Sequence, residues 1–197
     1  MILDYSYWVF NKAISSKNCD KIIKNAKKLI LKQGTVVGYN VKYIRDSKVC
    51  FLNDPFIYKL LHPFLNIANK NAGWNYQIDY SESIQFTSYA KNQLYDWHTD
   101  TIPNQFTNDS DPNYTNKIRK LSLVVNLSDS KEYTGGELQF YSGNPQKSFE
   151  ENIIKSPEMK NKGSLIVFPS YIYHRVTPVT KGQRYSLVLW SLGQKWK

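Results

Sequence analysis

Apolar and polar residues follow two different periods along the chain, and the change between them divides the sequence into two parts. In residues 16–30 the apolar side chains recur at helical spacing opposite a row of lysines. This pattern predicts an amphipathic helix whose N-cap is Ser15 or Ser16. A second helix is predicted to begin after Asp54, where a proline follows, and to end at Gly73.

From Trp74 onward, apolar and polar residues alternate in short stretches separated by turn-rich segments, which predicts seven or more β-strands. Helices followed by strands indicate an α+β fold with a sandwich or jelly roll in its C-terminal part. We expect a double-stranded β-helix (jelly-roll) core with the N-terminal helices packed on one sheet. The 197 residues suit one domain, with a helical support region at 1–80 and the jelly-roll core at 81–197.

The composition and the N-terminus predict a soluble, cytoplasmic protein. Hydrophobic residues make up 41% of the chain, which is enough to bury a core. No apolar run approaches the roughly 18 residues of a membrane span, and Asp4 lies where a secretion signal would be basic and then apolar. The two cysteines, Cys19 and Cys50, give no disulfide framework, which favours a reducing compartment.

The net charge of +10 is concentrated in the first third of the chain. Residues 1–70 contain 12 Lys and Arg against 4 Asp and Glu, whereas residues 71–197 contain 14 against 12. Part of the excess lies on the first predicted helix, where the lysines would form a solvated face. The alternative is a basic platform for an acidic partner such as nucleic acid. That helix lacks the interleaved arginines and exposed aromatic residues that would favour the second interpretation.

Two residues in the sequence YDWHTDT, His98 and Asp100, are separated by one position on a predicted strand. Side chains two apart on a strand point to the same face, so both can approach one metal ion. His174 follows an apolar strand that could run beside the first, whereas His62 lies inside the second helix and is predicted to be structural. Two histidines and one carboxylate form the facial triad of non-haem Fe(II) oxygenases. Zinc is the competing metal, but hydrolytic zinc chemistry would need a separate general base, and none stands out.

A basic residue ten positions after His174 favours iron over zinc. Strand alternation places Arg184 and Ser186 on one face, together with Val188 and Trp190. A buried arginine with a nearby hydroxyl is a good receptor for a carboxylate, because the guanidinium binds both oxygens and the hydroxyl adds a third donor. An oxygenase of this kind needs such a receptor, since its cosubstrate 2-oxoglutarate chelates iron at one end and carries a free carboxylate at the other.

The segment from Ser83 to Trp190 resembles the prolyl 4-hydroxylase-like and PKHD-type Fe(II)/2-oxoglutarate dioxygenases. The resemblance is carried, in order, by SIQFTSYAKNQLYDWHTD, RKLSLVVNLSD, YTGGELQFY and KGSLIVFPSYIYHRVTPVTKGQRYSLVLW. It implies that the histidine pair and Asp100 bind Fe(II), that Arg184 binds the distal carboxylate of 2-oxoglutarate, and that O2 and, as a reductant, ascorbate take part. Classical collagen-type enzymes have a lysine in place of Arg184, so the match is closer to the arginine-bearing branch.

Other pocket residues follow from the same resemblance. A tyrosine before the histidine motif donates its hydroxyl toward 2-oxoglutarate in the family, and we assign this role to Tyr89 first and Tyr95 second. Asn126 shares a strand face with Ser122 and Val124 and is expected to face the cosubstrate, although the opposite face of that strand could point inward instead. Three further residues are predicted to have packing or structural roles: Trp97, Glu137 and Tyr173.

The substrate is the least determined part of the prediction. The polar stretch after Asp100, residues 101–119, resembles a lid over the metal. The family resemblance makes a peptidyl proline the first expectation, so the predicted partner is a proline-containing protein or peptide rather than a membrane or nucleic acid. A free amino acid, another protein side chain and nucleic acid stay open as substrates, as does a non-enzymatic jelly-roll binding module. The oligomeric state is open.

Overall fold

The computed structural model describes residues 5–36, 41–101, 106–107 and 109–196. Two α-helices are α1 at Ser16–Ala26 and α2 at Pro55–Asn71. The strands are β1 Trp8–Phe10, β2 Lys32–Gln33, β3 Arg45–Asp46, β4 Lys48–Leu52, β5 Tyr80–Ser81, β6 Ile84–Tyr89, β7 Leu94–His98, β8 Lys117–Asn126, β9 Tyr133–Gly135, β10 Leu138–Tyr141, β11 Ile153–Lys155, β12 Leu165–Pro169, β13 His174–Val176, β14 Val179–Gly182 and β15 Arg184–Gln194. Short 3-10 helices lie at Glu150–Asn152 and Pro157–Lys160.

Both predicted helices form where the apolar periodicity and the caps place them. The Ser15 hydroxyl accepts from the backbone N–H of Asn18 at the start of α1, and the Asp54 side chain accepts from the N–H of Phe56 at the start of α2. After α2, Gly73 adopts a φ of +70°, which ends the helix. The lysines of α1 at 17, 21 and 24, and Lys28 just beyond it, are exposed and form a solvated face.

The strands form two sheets that build the jelly roll. Among the described residues, the major sheet has eight strands in the order β1-β12-β8-β15-β6-β4-β2, with β5 also pairing with β15. The minor sheet has the order β11-β10-β13-β7-β3, and β14 and β9 form a separate two-stranded ribbon. All of these pairs are antiparallel, so the sheets can bury one face each on a common core.

Alternation along the major strands separates two hydrophobic layers. One face carries side chains such as Phe86, Leu123 and Leu187, which pack with Ile22 and Leu65 of the helices. The other face carries side chains of β8 and β12 that pack between the sheets against β10 and β13. The predicted jelly roll with N-terminal helices on one sheet is therefore confirmed, and the space between the sheets is where a site can lie.

The region predicted as helical support also supplies strands. β1 pairs with β12 at one edge of the major sheet, β4 pairs with β6 near the other edge, and β3 pairs with β7 at the edge of the minor sheet. The first 80 residues therefore contribute to both sheets, because their short strands complete sheet edges that the C-terminal strands leave open. No helix in the described ranges has both the length and the apolar character needed to cross a membrane.

Candidate metal centre and cosubstrate cavity

The three predicted metal ligands meet between the sheets. His98 ends β7 and lies directly opposite His174 at the start of β13, while Asp100 follows β7 and is held by a backbone hydrogen bond from its N–H to the Ser170 carbonyl at 2.8 Å. The Asp100 carboxylate lies 3.8 Å from Nε2 of His98 and 3.6 Å from Nε2 of His174. One potential ligand atom from each residue lies within 4.8 Å of the others, which is close enough for a single ion.

Backbone carbonyls orient both imidazole rings. Nδ1 of His98 lies 2.7 Å from the Asp96 carbonyl oxygen, and Nδ1 of His174 lies 2.8 Å from the Ile172 carbonyl oxygen. A carbonyl only accepts, so each Nδ1 must carry the proton and each Nε2 presents a lone pair. This is the arrangement found around metal-binding histidines, whose second nitrogen donates to a carbonyl or carboxylate.

The electrostatic environment favours the metal-binding protonation states of His98 and Asp100. Burial and the neighbouring His174 lower the pKa of His98 to about 3, so its imidazole is neutral near pH 7. Burial acts to raise the pKa of Asp100, but the neighbouring histidines, Arg119 and the Ser122 hydroxyl together hold it below its usual value. The Ser122 hydroxyl donates to Oδ2 of Asp100 at 2.7 Å. A carboxylate and two neutral imidazoles are suitable donors for a divalent metal.

A β-bulge in β7 brings Tyr95 to the metal face. His98 pairs with His174 and Tyr95 pairs with Val176, so three steps on β7 match two steps on β13. Strict alternation would have placed Tyr95 on the same face as Trp97. Instead the Tyr95 ring stacks on the His98 ring with a centroid distance of 3.5 Å.

Arg184 is buried without an anionic partner. Its side chain is 2% exposed, and among the salt bridges of the described residues none involves its guanidinium. Nη1 donates to the Ser186 hydroxyl at 3.4 Å, and Nε has no hydrogen-bond partner. A buried cation without a counter-charge costs several kcal/mol, about 3–5 in measured cases where a partner was removed. The arrangement is therefore suited to an anion that binds there.

Four of the five predicted cosubstrate residues line one small cavity with the metal-ligand triad: Tyr89, Tyr95, Arg184 and Ser186. Tyr89 pairs with Arg184 across β6 and β15, and the Arg184 guanidinium lies 5.7 Å from the centre of the Tyr89 ring. Burial raises the pKa of Tyr89, so its hydroxyl stays protonated and can donate. The cavity has a volume of about 30 Å³. Its walls are Gln85, Tyr89, Tyr95, His98, Asp100, Val124, Leu138, His174, Val176, Arg184, Ser186, Val188 and Trp190.

Asn126 does not belong to this cavity, so its predicted contact with the cosubstrate is not supported by the structure. Its Nδ2 donates to the backbone carbonyl oxygens of Ser128, Lys160 and Asn161, at distances of 3.0, 3.2 and 3.4 Å. The strand face was predicted correctly, because Ser122 and Val124 do point toward the site. The amide of Asn126 instead ties two loops together, and those loops could not be placed from strand periodicity.

Two residues near the metal ligands, Arg119 and Trp190, were not assigned a role from the sequence. The Arg119 guanidinium donates from Nη2 to Glu82 at 2.8 Å and lies 3.9 Å above the Trp190 ring. Arg119 is the last residue of the polar stretch that was predicted as a lid. The sequence therefore did not indicate that Arg119 lies on β8. Trp190 was expected on the same face as Arg184, and its position in the cavity wall agrees with that alternation.

A second buried arginine comes from the N-terminal region. Arg45 on β3 is 7% exposed and lies 4.6 Å from the centre of the Tyr95 ring. It donates to Gln85 Oε1 at 3.1 Å and to the Thr35 carbonyl at 2.9 Å. No motif in the sequence identifies this residue, because its neighbours are brought together only when β3 pairs with β7.

The residues beside the two histidines lie on the outer face of the minor sheet, as alternation predicts for Trp97 and Tyr173. Their rings stack on each other at 5.4 Å, and Tyr173 is 42% exposed. They therefore form a solvent-facing layer rather than part of the core between the sheets. Of the predicted lid, residues 102–105 and 108 lie outside the described residues.

Comparisons with known proteins agree with this geometry. Residues 84–192 match the family model of the 2OG-Fe(II) oxygenase superfamily. A PKHD-type hydroxylase of Alteromonas mediterranea is 34% identical over 106 residues, which cover 53% of this chain and 41% of the relative. A PKHD-type hydroxylase of Escherichia coli is 32% identical over 105 residues, or 53% of this chain and 40% of the relative. The match thus spans about two fifths of each relative's length.

Solved structures share the fold over nearly the whole chain. A viral collagen prolyl hydroxylase from Paramecium Bursaria Chlorella virus-1 has a TM-score of 0.65 at 22% identity and covers 96% of this chain and 97% of its own. A Pseudomonas putida prolyl-4-hydroxylase has a TM-score of 0.68 at 16% identity, with 95% and 93% covered. A Trichoplax adhaerens prolyl hydroxylase in complex with a hypoxia inducible factor peptide has a TM-score of 0.67 at 18% identity, with 95% and 84% covered.

Proposed function

The chain belongs to the 2OG-Fe(II) oxygenase superfamily, and on that premise we propose that it is an Fe(II)- and 2-oxoglutarate-dependent hydroxylase acting on a peptidyl proline. The observation that carries the proposal is the shared cavity of the metal-ligand triad and Arg184. One end of this cavity can hold a metal, and the other end presents a buried cation without a partner. 2-Oxoglutarate fits these two features because it has a chelating end and a free carboxylate.

His98, Asp100 and His174 are the proposed iron ligands. They approach from one side, so positions remain for the cosubstrate and O2, as in other facial triads. Bound iron, with 2-oxoglutarate and O2, supplies an oxidant for an unactivated C–H bond and leaves succinate and CO2. The chain's own contribution is to orient the ligands, to keep the His98 imidazole neutral and to exclude water from the cavity.

The distal carboxylate of 2-oxoglutarate is assigned to Arg184, Ser186 and Tyr89. The guanidinium and the two hydroxyls are all donors, and they lie on adjacent strands of the major sheet. Charge-assisted hydrogen bonds of this kind are about twice as strong as neutral ones. Ser186 therefore serves as a third donor rather than as a nucleophile.

A carboxylate ligand favours hydroxylation over halogenation, since related halogenases lack this residue and bind chloride in its place. Asp100 is present and its Oδ2 accepts from Ser122, which fixes its orientation. The expected product is therefore a substrate in which one C–H bond has been converted to C–OH.

Two features support a peptidyl proline as substrate. Trp190 gives the metal side of the cavity an aromatic wall that suits a pyrrolidine ring. The Arg119 guanidinium, held by Glu82 beside Trp190, lies where it could donate to a peptide carbonyl. Solved prolyl hydroxylases share the fold, including one captured with a peptide fragment.

The cofactor part of this proposal can be tested without a substrate. Anaerobic titration of the purified protein with Fe(II) and 2-oxoglutarate should produce the weak visible charge-transfer band of the chelate. The His174→Ala variant should lose it, because one iron ligand is missing. A band that is absent from the wild-type protein, or that persists in the variant, would overturn the ligand assignment.

The substrate part needs a separate assay. A panel of proline-containing peptides, free proline, other amino acids and oligonucleotides is incubated with the iron-loaded enzyme, 2-oxoglutarate and ascorbate. We expect a peptide to gain the mass of one oxygen atom together with one equivalent of succinate. If free proline or an oligonucleotide stimulates succinate formation and no peptide does, the peptidyl-proline proposal is wrong while the cofactor assignment stands.

A further inference from the structure

A second cavity adjoins the inner end of the metal site. It has a volume of about 210 Å³. We call it the lysine-rimmed cavity and define it by Tyr133, Gly136, Glu137, Lys155, Lys160 and Arg184. Arg184 and Leu138 also line the metal-side cavity, so these two side chains belong to the walls of both spaces. The metal-ligand triad does not line the second cavity.

Arg184, the proposed receptor for the distal carboxylate, lines both cavities. The lysine-rimmed cavity is the larger of the two, at about 210 Å³ against about 30 Å³. It therefore offers space beside Arg184 for that end of the molecule.

The charges of the lysine-rimmed cavity are arranged to attract a dianion. Lys155 and Lys160 are exposed at its rim, and Arg184 is buried at its inner end. Glu137 is the one carboxylate in the cavity wall. Three cations against one anion leave a net positive surface that leads from solvent to a desolvated guanidinium. Such a surface raises the association rate of an oppositely charged ligand.

The ion pair at the rim is weak enough to exchange. Lys160 Nζ lies 2.9 Å from Oε1 of Glu137, but the two side chains are 55% and 30% exposed. Exposed pairs of this kind contribute about 0–1 kcal/mol. Gln139 holds the second oxygen of Glu137 at 3.2 Å, so Glu137 stays in place when Lys160 leaves. Lys160 can therefore exchange Glu137 for an incoming carboxylate at little cost.

We infer that the lysine-rimmed cavity, which the metal-ligand triad does not line, is the entrance for the dicarboxylate cosubstrate. Lys155 and Lys160 guide 2-oxoglutarate inward, Glu137 opposes it, and Arg184 receives its distal carboxylate. This inference rests on the role proposed above for Arg184 but not on proline being the substrate.

The test measures association and dissociation rates rather than turnover. Anaerobic Fe(II)-loaded protein is mixed with 2-oxoglutarate in a stopped-flow instrument at low ionic strength, and the charge-transfer band reports binding. Lys155→Gln and Lys160→Gln should each lower the association rate constant roughly threefold, and Glu137→Gln should raise it by a similar factor. The dissociation rate constants should stay within error of the wild-type value. At about 1 M salt, where the Debye length is ~3 Å, the differences should disappear.

The matched control is Lys24→Gln on α1, which removes the same charge from an exposed lysine on the helical layer. Rim variants that differ no more from wild type than this control would overturn the inference. An increase in the dissociation rate with unchanged association would also overturn it, because the lysines would then hold bound cosubstrate rather than guide it. A wild-type protein without any band would instead show that the proposed cosubstrate site itself is wrong.

Discussion

Tyr95 and His98 stack face to face at 3.5 Å although they lie three positions apart on one strand. The bulge between them makes this contact possible, and the Arg45 guanidinium covers the other side of the tyrosine at 4.6 Å from the ring centre. The first metal ligand is therefore held between its backbone hydrogen bond and an aromatic ring. This arrangement gives Tyr95 a role in positioning a ligand that is distinct from any contact with 2-oxoglutarate.

Removing the Tyr95 ring should weaken iron binding. We expect Tyr95→Ala to raise the Fe(II) dissociation constant roughly tenfold, the lower end of the range for residues that orient metal ligands. Tyr95→Phe keeps the ring and should bind iron like the wild-type protein. Anaerobic metal titration distinguishes the two variants, and equal affinities for both would show that the stacking does not position His98.

The Ser122 hydroxyl should contribute more to Fe(II) affinity than the neighbouring Ser170 hydroxyl. Ser122 donates to the Asp100 carboxylate at 2.7 Å, while the Ser170 hydroxyl contacts Ser122 at 2.9 Å. Ser122→Ala removes a donor that orients a metal ligand and should raise the Fe(II) dissociation constant roughly tenfold. Ser170→Ala is the control and should change it much less. A larger effect at Ser170 would mean that its hydroxyl, rather than the hydroxyl of Ser122, determines the orientation of Asp100.

Arg184 should determine cosubstrate affinity without affecting the metal. Arg184→Ala should raise the KM for 2-oxoglutarate roughly 100-fold, since loss of a buried charge pair costs several kcal/mol. Fe(II) affinity should stay nearly unchanged because the guanidinium does not contact the triad. Arg184→Lys should retain part of the affinity, since a lysine supplies this charge in classical collagen-type enzymes. Loss of iron binding in the alanine variant would mean that Arg184 supports the metal site instead.

Gly136 should keep the Arg184 side chain in position. A Cβ at Gly136 would lie 2.9 Å from Cδ of Arg184 and 2.9 Å from Cγ2 of Val179, and its φ is +60°. Gly136→Ala should raise the KM for 2-oxoglutarate roughly tenfold by displacing the arginine stem, a cost of ~1.4 kcal/mol. Gly143 has a similar φ of +68° with nothing within 4 Å of the added Cβ. Gly143→Ala therefore carries the same backbone strain without the clash, and an equal rise in KM would contradict the steric explanation.

The Arg119–Glu82 ion pair should stabilise the folded protein, in addition to holding Arg119 beside Trp190. The side chains are 14% and 12% exposed, so Glu82→Gln would leave a largely buried guanidinium without its counter-charge. We expect the free energy of unfolding to fall by about 3 kcal/mol. Asp20→Asn breaks the pair with Lys162, in which Asp20 is 63% exposed, and should cost less than about 1 kcal/mol. Urea denaturation of both variants gives the comparison.

The sequence predicted the parts of the site that depend on short-range spacing. His98 and Asp100 share a face because they are two apart, and the same rule groups Arg184 with Ser186 and Trp190. Both helices were predicted from periodicity and caps. The family resemblance joined the two strands that carry the histidines, which spacing alone could not do.

Long-range pairing determined what the sequence could not show. The bulge that turns Tyr95 toward the metal-ligand triad depends on the register between β7 and β13, and Arg45 reaches the Tyr95 ring only through the pairing of β3 with β7. For Asn126, the sequence predicted the correct strand face, but the amide donates to loop carbonyls rather than facing the cavity. These features are set by contacts between residues far apart in the chain.

The short strand β3 lies outside the residues that match the family model, yet it pairs with the strand that carries His98. The family match covers residues 84–192, yet β3, with Asp46 accepting hydrogen bonds from Gln33 and Gln93, closes the edge beside the first metal ligand. A fragment cut at the family boundary would keep the triad and the cosubstrate arginine but would uncover the Tyr95 ring and leave β7 as an open edge. The N-terminal segment thus adds one guanidinium and two paired residues to that edge, in addition to the helices and strands it supplies to the major sheet.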